Sequence, residues 1–128
     1  GFATDEFPAF YNRASGIPLL HRLDTAQDIA TLIGLQRQLK MTNGIVIANS
    51  IPIEAEISNS DIKPFIQQAH NEAKHINGQS LTPAMIKRIG ELTTERHREA
   101  NIELIKHNAN LGAQISIAHQ ENIKNFVN

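Results

Sequence analysis

Four apolar residues in a row, Ile45-Val46-Ile47-Ala48, three of them β-branched, interrupt a chain that otherwise reads mostly as helix. A strand with one wet face alternates apolar and polar residues, whereas an unbroken β-branched run is the pattern of a strand covered on both faces, as in a parallel sheet. Helices packed on either side are the usual cover, so the run points to an α/β fold in which helices are layered against a sheet. The run stops at Asn49-Ser50-Ile51-Pro52, a turn sequence.

The flanking segments supply the helices. Residues 1–18 gather Phe2, Phe7, Phe10 and Tyr11 among Pro8, Gly16 and Pro18, an irregular or short-stranded stretch whose aromatics are expected to pack on a core elsewhere. Leu19 to Leu23 reads as a short strand. Asp24 then stands as N-cap with Gln27 three residues on, opening a helix to about Leu39 whose stripe is Ala26, Ile29, Ala30 and Ile33, flanked by Leu32 and Leu39. Asn43-Gly44 ends that unit.

After the turn, Ser58, Ser60 and Asp61 offer caps for a second helix bearing Ile62, Phe65, Ile66, Ala69, Ala73 and Ile76 at helical spacing, with Pro64 expected in its first turn and Asn77-Gly78 at its end. Thr82 as N-cap with Pro83 at the first helical position opens a third helix, closed by Leu92. From about Thr94 to near the C-terminus runs the longest helical segment.

Composition narrows the function. With 128 residues and 41% apolar content, the chain can form one compact domain, residues 1–128, burying roughly two-thirds of its extended surface. The 12 Lys and Arg nearly cancel the 13 Asp and Glu, which removes the global field that would draw it to nucleic acid or an anionic membrane. No cysteine is present, so disulfides, thiolate nucleophiles and cysteine-built zinc sites are excluded together. The first residues lack the basic start and apolar middle of a signal peptide, and no apolar run approaches a bilayer span. A soluble, intracellular protein is expected. The absence of an initiator Met makes the chain read as part of something longer.

Few residues advertise chemistry. The histidines lack metal spacing: His97, His107 and His119 do not share a helix face closely, and His70 with His75 misses the i+4 step, so no metal site is assigned and the rings read as solvated or capping. The carboxylate pairs Asp5-Glu6 and Glu54 with Glu56 read as surface groups. There is no nucleophile elbow and no glycine-rich phosphate loop. The helical lysines Lys63, Lys74, Lys87, Lys106 and Lys124 read as solvated.

Two places stand out. Asn49 ends the buried strand, and ligands in open α/β sheets gather at the carboxyl ends of strands, although an asparagine there also serves simply as a turn residue. On the last helix Asn101, Leu104, Asn108, Leu111 and Ile115 form one stripe in which two amides interrupt an apolar face. A buried carboxamide needs partners, in the protein or in a ligand such as a pyrimidine, whose edge mixes donors and acceptors. The pattern permits a site without requiring one.

Three segments taken together resemble the pseudouridine-5′-phosphate glycosidase family, also known as indigoidine synthase A-like proteins. They are Thr4-Asp5-Glu6-Phe7-Pro8-Ala9-Phe10-Tyr11 with Arg13 and Ser15-Gly16, then Gly44-Ile45-Val46-Ile47-Ala48-Asn49 with Ile51-Pro52, and Glu99-Ala100-Asn101-Ile102 with Asn108-Ala109. Arg22-Leu23-Asp24, Thr82-Pro83 and Glu91-Leu92-Thr93 agree as well, so the resemblance runs from the first residue to about Ala118. Ser50 departs from the family's A-N-P-I-P, Asn43 stands for a glycine, Thr94-Glu95 for G-G, and His107 for the first asparagine of N-N-A.

The resemblance implies a three-layer α/β/α enzyme, homotrimeric and cytoplasmic, that cleaves the C–C glycosidic bond of pseudouridine 5′-phosphate to uracil and ribose 5-phosphate. A carbon-linked base is a poor leaving group by the ordinary two-carboxylate route. The family is understood to form a lysine Schiff base with the opened sugar, aided by a glutamate and Mn2+. Those lysine, glutamate and metal-ligand motifs belong to the family's N-terminal part, and this chain corresponds to roughly the last two-fifths. No catalytic residue is therefore assigned here, and the isolated chain is expected to be inactive. The resemblance places Asn101 against the pyrimidine, with Asn108 and Asn49 as supporting substrate contacts. The alternative is a non-catalytic remnant, or a binding or oligomerisation module.

Overall fold

The structure, a computed structural model, describes residues 1–93 and 95–127, with side chains described for 1–93 and 96–124. Helical periodicity becomes four α-helices: α1 (Ala26–Gln38), α2 (Asn59–Glu72), α3 (Leu81–Leu92) and α4 (Glu95–Val127), with short 3-10 turns at Ile53–Ala55 and Gly78–Ser80. At 33 residues, α4 is about 50 Å long and is the spine on which the rest packs. The expected start near Thr94 lies outside the described residues.

Local capping chemistry sets the boundaries, and several differ from expectation. The N-cap of α1 is Thr25, whose hydroxyl accepts the Asp28 N–H at 3.0 Å and donates to the Asp28 carboxylate at 2.6 Å. Asp24 does not cap, because its carboxylate is taken by Arg22 at 2.7 Å. The helix ends before Asn43-Gly44 in a Schellman turn: Lys40 adopts φ 56, its N–H reaching the Arg37 carbonyl while that of Met41 reaches Gln36. Ser58 caps α2, as its sequence suggests, through the Asp61 N–H. Pro64 is the sixth residue of α2, in the second turn, where it has no N–H to give the Ser60 carbonyl. That helix stops at Ala73, ahead of Asn77-Gly78. A 3-10 turn precedes α3, so its cap position is Ser80 and Pro83 falls third in the first turn, where a missing N–H costs nothing.

The two short strands do not form as regular elements, and no named strand exists among the described residues. Three extended segments instead meet in parallel at single bridges, in the order Leu23, Phe2, Asn49. Phe2 N–H donates to the Ala48 carbonyl at 2.8 Å, and Ala3 N–H to that of Leu23 at 2.9 Å. Among the described residues the run 45–48 has this one backbone neighbour, and Val46 is 82% exposed rather than covered on both faces. A β-branched run cannot make a strand alone, because a strand's backbone bonds go to its neighbouring strands. Glu6 and Pro18 add an antiparallel bridge within the N-terminal segment.

The core forms where that segment crosses α2, α3 and the first half of α4. Tyr11, Ile51, Ile57, Ile62, Ala69, Ile89 and Ala100 are buried together, with Ala55 and Leu104 against them. Of the N-terminal aromatics only Tyr11 enters fully, while Phe7 and Phe10 stay 45% and 41% exposed. The Ile57 N–H donates to the Tyr11 carbonyl at 2.9 Å and Arg13 Nη1 to that of Ile51 at 2.9 Å, clamping the segment down. His97 is buried between the rings of Tyr11 and Phe65, each edge-on at 5.9 Å, not solvated as its spacing suggested.

Helix α1 packs on the second half of α4, burying Ile29 and Ala30. Polar links line the seam: Gln27 to Asn122 at 2.5 Å and Arg37 to His119 at 2.9 Å, which run in opposite directions along the two helices. Leu32 and Leu39 remain exposed on α1, as does Leu35, which lines a groove with His119, Asn122 and Ile123 of α4. Among the described residues no helix is long and apolar enough to cross a membrane.

Candidate functional site

Asn49 follows the extended run and faces the middle of α4. Its Nδ2 donates to Asn108 Oδ1 at 2.9 Å and lies 3.2 Å from His107 Nδ1, and the same ring nitrogen lies 3.0 Å from the Ser50 carbonyl oxygen. These contacts tie the turn to the helix across 59 residues of sequence. Ser50 is buried, and its hydroxyl has no partner among the described residues.

Beside this junction opens a cleft of about 430 Å3. Leu104, Leu111 and Ile115 of α4 line one side, Phe7 and Phe10 another, and Asn49 with Asn108 the polar end. No charged side chain is among the residues that line it. Such a surface suits a flat, uncharged ring whose edge carries hydrogen-bonding groups. It offers no nucleophile and no carboxylate for proton transfer.

The expected stripe is thus present but divided. Leu104, Asn108, Leu111 and Ile115 share the cleft, and Asn101 is not among its lining residues. Asn101 sits seven residues upstream, about 10 Å along the axis, and is partly buried. Asn108 is exposed and takes its partner from Asn49 rather than from an apolar face. The carboxylate pairs stand elsewhere. Glu6 accepts the N–H groups of Ser15 and Gly16 at 3.1 and 2.9 Å, Asp5 binds Arg22 at 2.6 Å, and Glu56 accepts the Arg13 N–H at 2.8 Å. Glu54 lines a separate cavity with Glu99 and Glu103. Burial raises the Tyr11 hydroxyl above its ordinary pKa, which keeps it neutral near neutral pH.

His107 is a participant that sequence reasoning noted as a family departure and otherwise read as solvated or capping. Its role depends on a turn 57 residues away, which no local pattern reveals. Among the described residues no group of three or more His, Cys, Asp or Glu side chains is placed to hold a metal ion.

The profile of the family described as "Indigoidine synthase A like protein" matches residues 1–118. The chain belongs to the indigoidine synthase A-like family. A pseudouridine-5′-phosphate glycosidase from Legionella pneumophila is 58% identical over 123 residues, spanning 96% of this chain and 40% of that protein. An indigoidine synthase A-like protein from Thermotoga maritima superposes with a TM-score of 0.73 at 25% identity, covering 93% of this chain and 39% of the other. The prealnumycin C-glycosynthase AlnA, solved with ribulose 5-phosphate, superposes with a TM-score of 0.79 over 97% of this chain and 41% of its own. At 20% identity that likeness concerns fold alone. The chain therefore spans about two-fifths of the length of the curated relatives it matches.

Proposed function

We propose that the chain forms the base-binding side of a pseudouridine-5′-phosphate glycosidase, an enzyme that cleaves the C–C bond between uracil and ribose 5-phosphate. What supports this reading is the uncharged cleft ending in the coupled amides of Asn49 and Asn108, in a chain 58% identical to a relative of that name. Uracil is flat, neutral and rimmed by carbonyl and N–H groups, which carboxamides match in both senses. In the proposed mechanism Asn108 and Asn49 orient the base in the cleft, and Asn101, outside the residues that line it, is assigned to the base by the family resemblance. The electron sink that carbon–carbon cleavage needs is a lysine Schiff base, supplied with an acid glutamate by the part of the enzyme N-terminal to this chain. Manganese is assigned in this reading to the same N-terminal part, with the lysine and the glutamate.

The complete domain is taken as a three-layer α/β/α structure in a homotrimeric, cytoplasmic enzyme. In it the extended residues 45–48 become a strand with neighbours on both edges and helices over both faces, and that face cover would bury the exposed Val46. The test is uracil release from pseudouridine 5′-phosphate. The 128-residue chain alone should release none, and mixing it with the remaining part of the Legionella relative should restore release. Release by the chain alone would refute the division of labour. In the restored enzyme Asn101→Ala should alter selectivity for the base more than it alters dependence on the sugar phosphate.

A further inference from the structure

At His107 one ring nitrogen meets two polar atoms that make opposite demands on its proton. Nδ1 lies 3.0 Å from the Ser50 carbonyl oxygen and 3.2 Å from Asn49 Nδ2, and Asn49 Nδ2 also lies 2.9 Å from Asn108 Oδ1. A carbonyl oxygen only accepts and an amide nitrogen only donates, whereas an imidazole nitrogen does one or the other according to its proton. The two contacts of Nδ1 therefore cannot both be hydrogen bonds in one proton state.

Two arrangements are self-consistent. With Nδ1 bare, it accepts one hydrogen of Asn49 Nδ2, the second goes to Asn108 Oδ1, and Asn49 Oδ1 is left as an open acceptor. The Ser50 carbonyl then faces a lone pair. With Nδ1 protonated, it donates to the Ser50 carbonyl and the amides of Asn49 and Asn108 turn over. Asn49 Oδ1 then faces Nδ1–H and the Asn108 amide, and Asn49 Nδ2 becomes an open donor. The imidazolium carries a hydrogen on both nitrogens and admits only the second arrangement.

We infer that His107 is the positioning residue of the cleft, and that the proton on its Nδ1 decides whether Asn49 presents an acceptor or a donor to a bound heterocycle. The inference rests on the base-binding reading of the cleft and adds to it a pH-dependent preference. The first arrangement selects a ring edge with an N–H, as in the imide of uracil. The second selects a carbonyl. Charged neighbours are few. Within one turn of His107, α4 carries Glu103 and Lys106, bound to each other at 2.7 Å. The facing turn brings neutral Asn49 and Ser50, with Arg13 beyond it on the Ile51 carbonyl at 2.9 Å. The following 3-10 turn carries Glu54, and the N-terminal segment adds the buried Tyr11.

The test uses the 128-residue chain, 15N-labelled, titrated by NMR over about pH 5–8 with and without uracil. The Asn49 and Asn108 side-chain amide resonances should move with the midpoint of the His107 ring, and that movement should vanish in His107→Asn, which keeps an acceptor that cannot titrate. Uracil can meet an acceptor with its imide N–H and a donor with a carbonyl, whereas N3-methyluracil has only carbonyls at that edge, so the preference for uracil over N3-methyluracil should fall about 3–10-fold on the acidic side. Amide resonances that ignore the His107 midpoint overturn the inference, as does a preference between uracil and N3-methyluracil that is independent of pH. Amides that follow the midpoint while uracil fails to bind would uphold the control by His107 and sink the base-binding reading instead.

Discussion

Replacing Val46 with aspartate separates the chain on its own from the chain within a complete enzyme. The side chain is 82% exposed, and substitutions at such positions change stability by no more than about 0.5 kcal/mol. The urea midpoint of Val46→Asp should therefore match that of the parent chain. If the complete domain covers residues 45–48 on both faces, the exposed 82% of a burial worth about 1.5–3 kcal/mol becomes available, or about 1.2–2.5 kcal/mol. Aspartate forfeits this and adds the cost of desolvating a carboxylate, several kcal/mol more. Association with the remaining part of the Legionella relative should weaken by at least about 3 kcal/mol, two orders of magnitude in Kd, measured by calorimetric titration. Two results would refute the reasoning. A loss above about 1 kcal/mol in the chain alone would mean that Val46 is already packed, and unchanged association would mean that it stays in water.

Ile57 is 1% exposed in the main core, so Ile57→Ala should cost about 2–5 kcal/mol and Ile57→Val about 0.5–1.5 kcal/mol in urea unfolding; near-equal costs would mean a loosely packed centre. Lys40→Gly should raise stability by roughly 0.5–1 kcal/mol, since a side chain at φ 56 is strained where glycine is not; a loss in thermal unfolding would contradict the Schellman ending. The Glu72 carboxyl is held below its ordinary pKa of 4.5, first by the hydrogen bond from Arg88 and then by that from Gln68. Its small contribution is thus present above pH 4.5 and lost as pH falls through the lowered value. In Arg88→Met the carboxyl resonance of Glu72 should titrate closer to 4.5 by 13C NMR, and an unmoved titration would mean that the pair does not persist in solution.

The helices were legible because their information is local. Apolar residues three and four apart define a face whatever lies beyond it, and α1 duly buries Ile29 and Ala30 while α2 buries Ile62 and Ala69. Boundaries were less legible where two neighbours could serve equally. Asp24 and Thr25 are both competent caps, and the choice fell to Thr25 because Arg22 holds Asp24 from the side. The candidate site follows the same division. The position of Asn49 at the end of the run and that of Asn108 on the stripe can be read from spacing. Their contact with each other, and the entry of His107 between them, depends on how a turn meets a helix 57–59 residues later.

Residues 45–48 carry this point furthest. The β-branched run encodes burial on two faces, and the structure gives it one bridge partner and an exposed valine. Sequence and structure are consistent once the strand is recognised as a property of neighbours: composition sets what the segment would gain from cover, and only other strands and helices can supply it. The same holds for the exposed Leu32, Leu35 and Leu39 of α1. In the proposed complete enzyme, such apolar patterning without a counterpart marks surfaces that its other part would cover. The cleft between Phe7, Asn49 and α4 lies beside one of them, at Val46. If the part that covers Val46 in the proposed complete enzyme also touches a base held in the cleft, base binding and assembly are coupled: uracil should tighten the association that Val46→Asp weakens, by the same factor by which association tightens uracil.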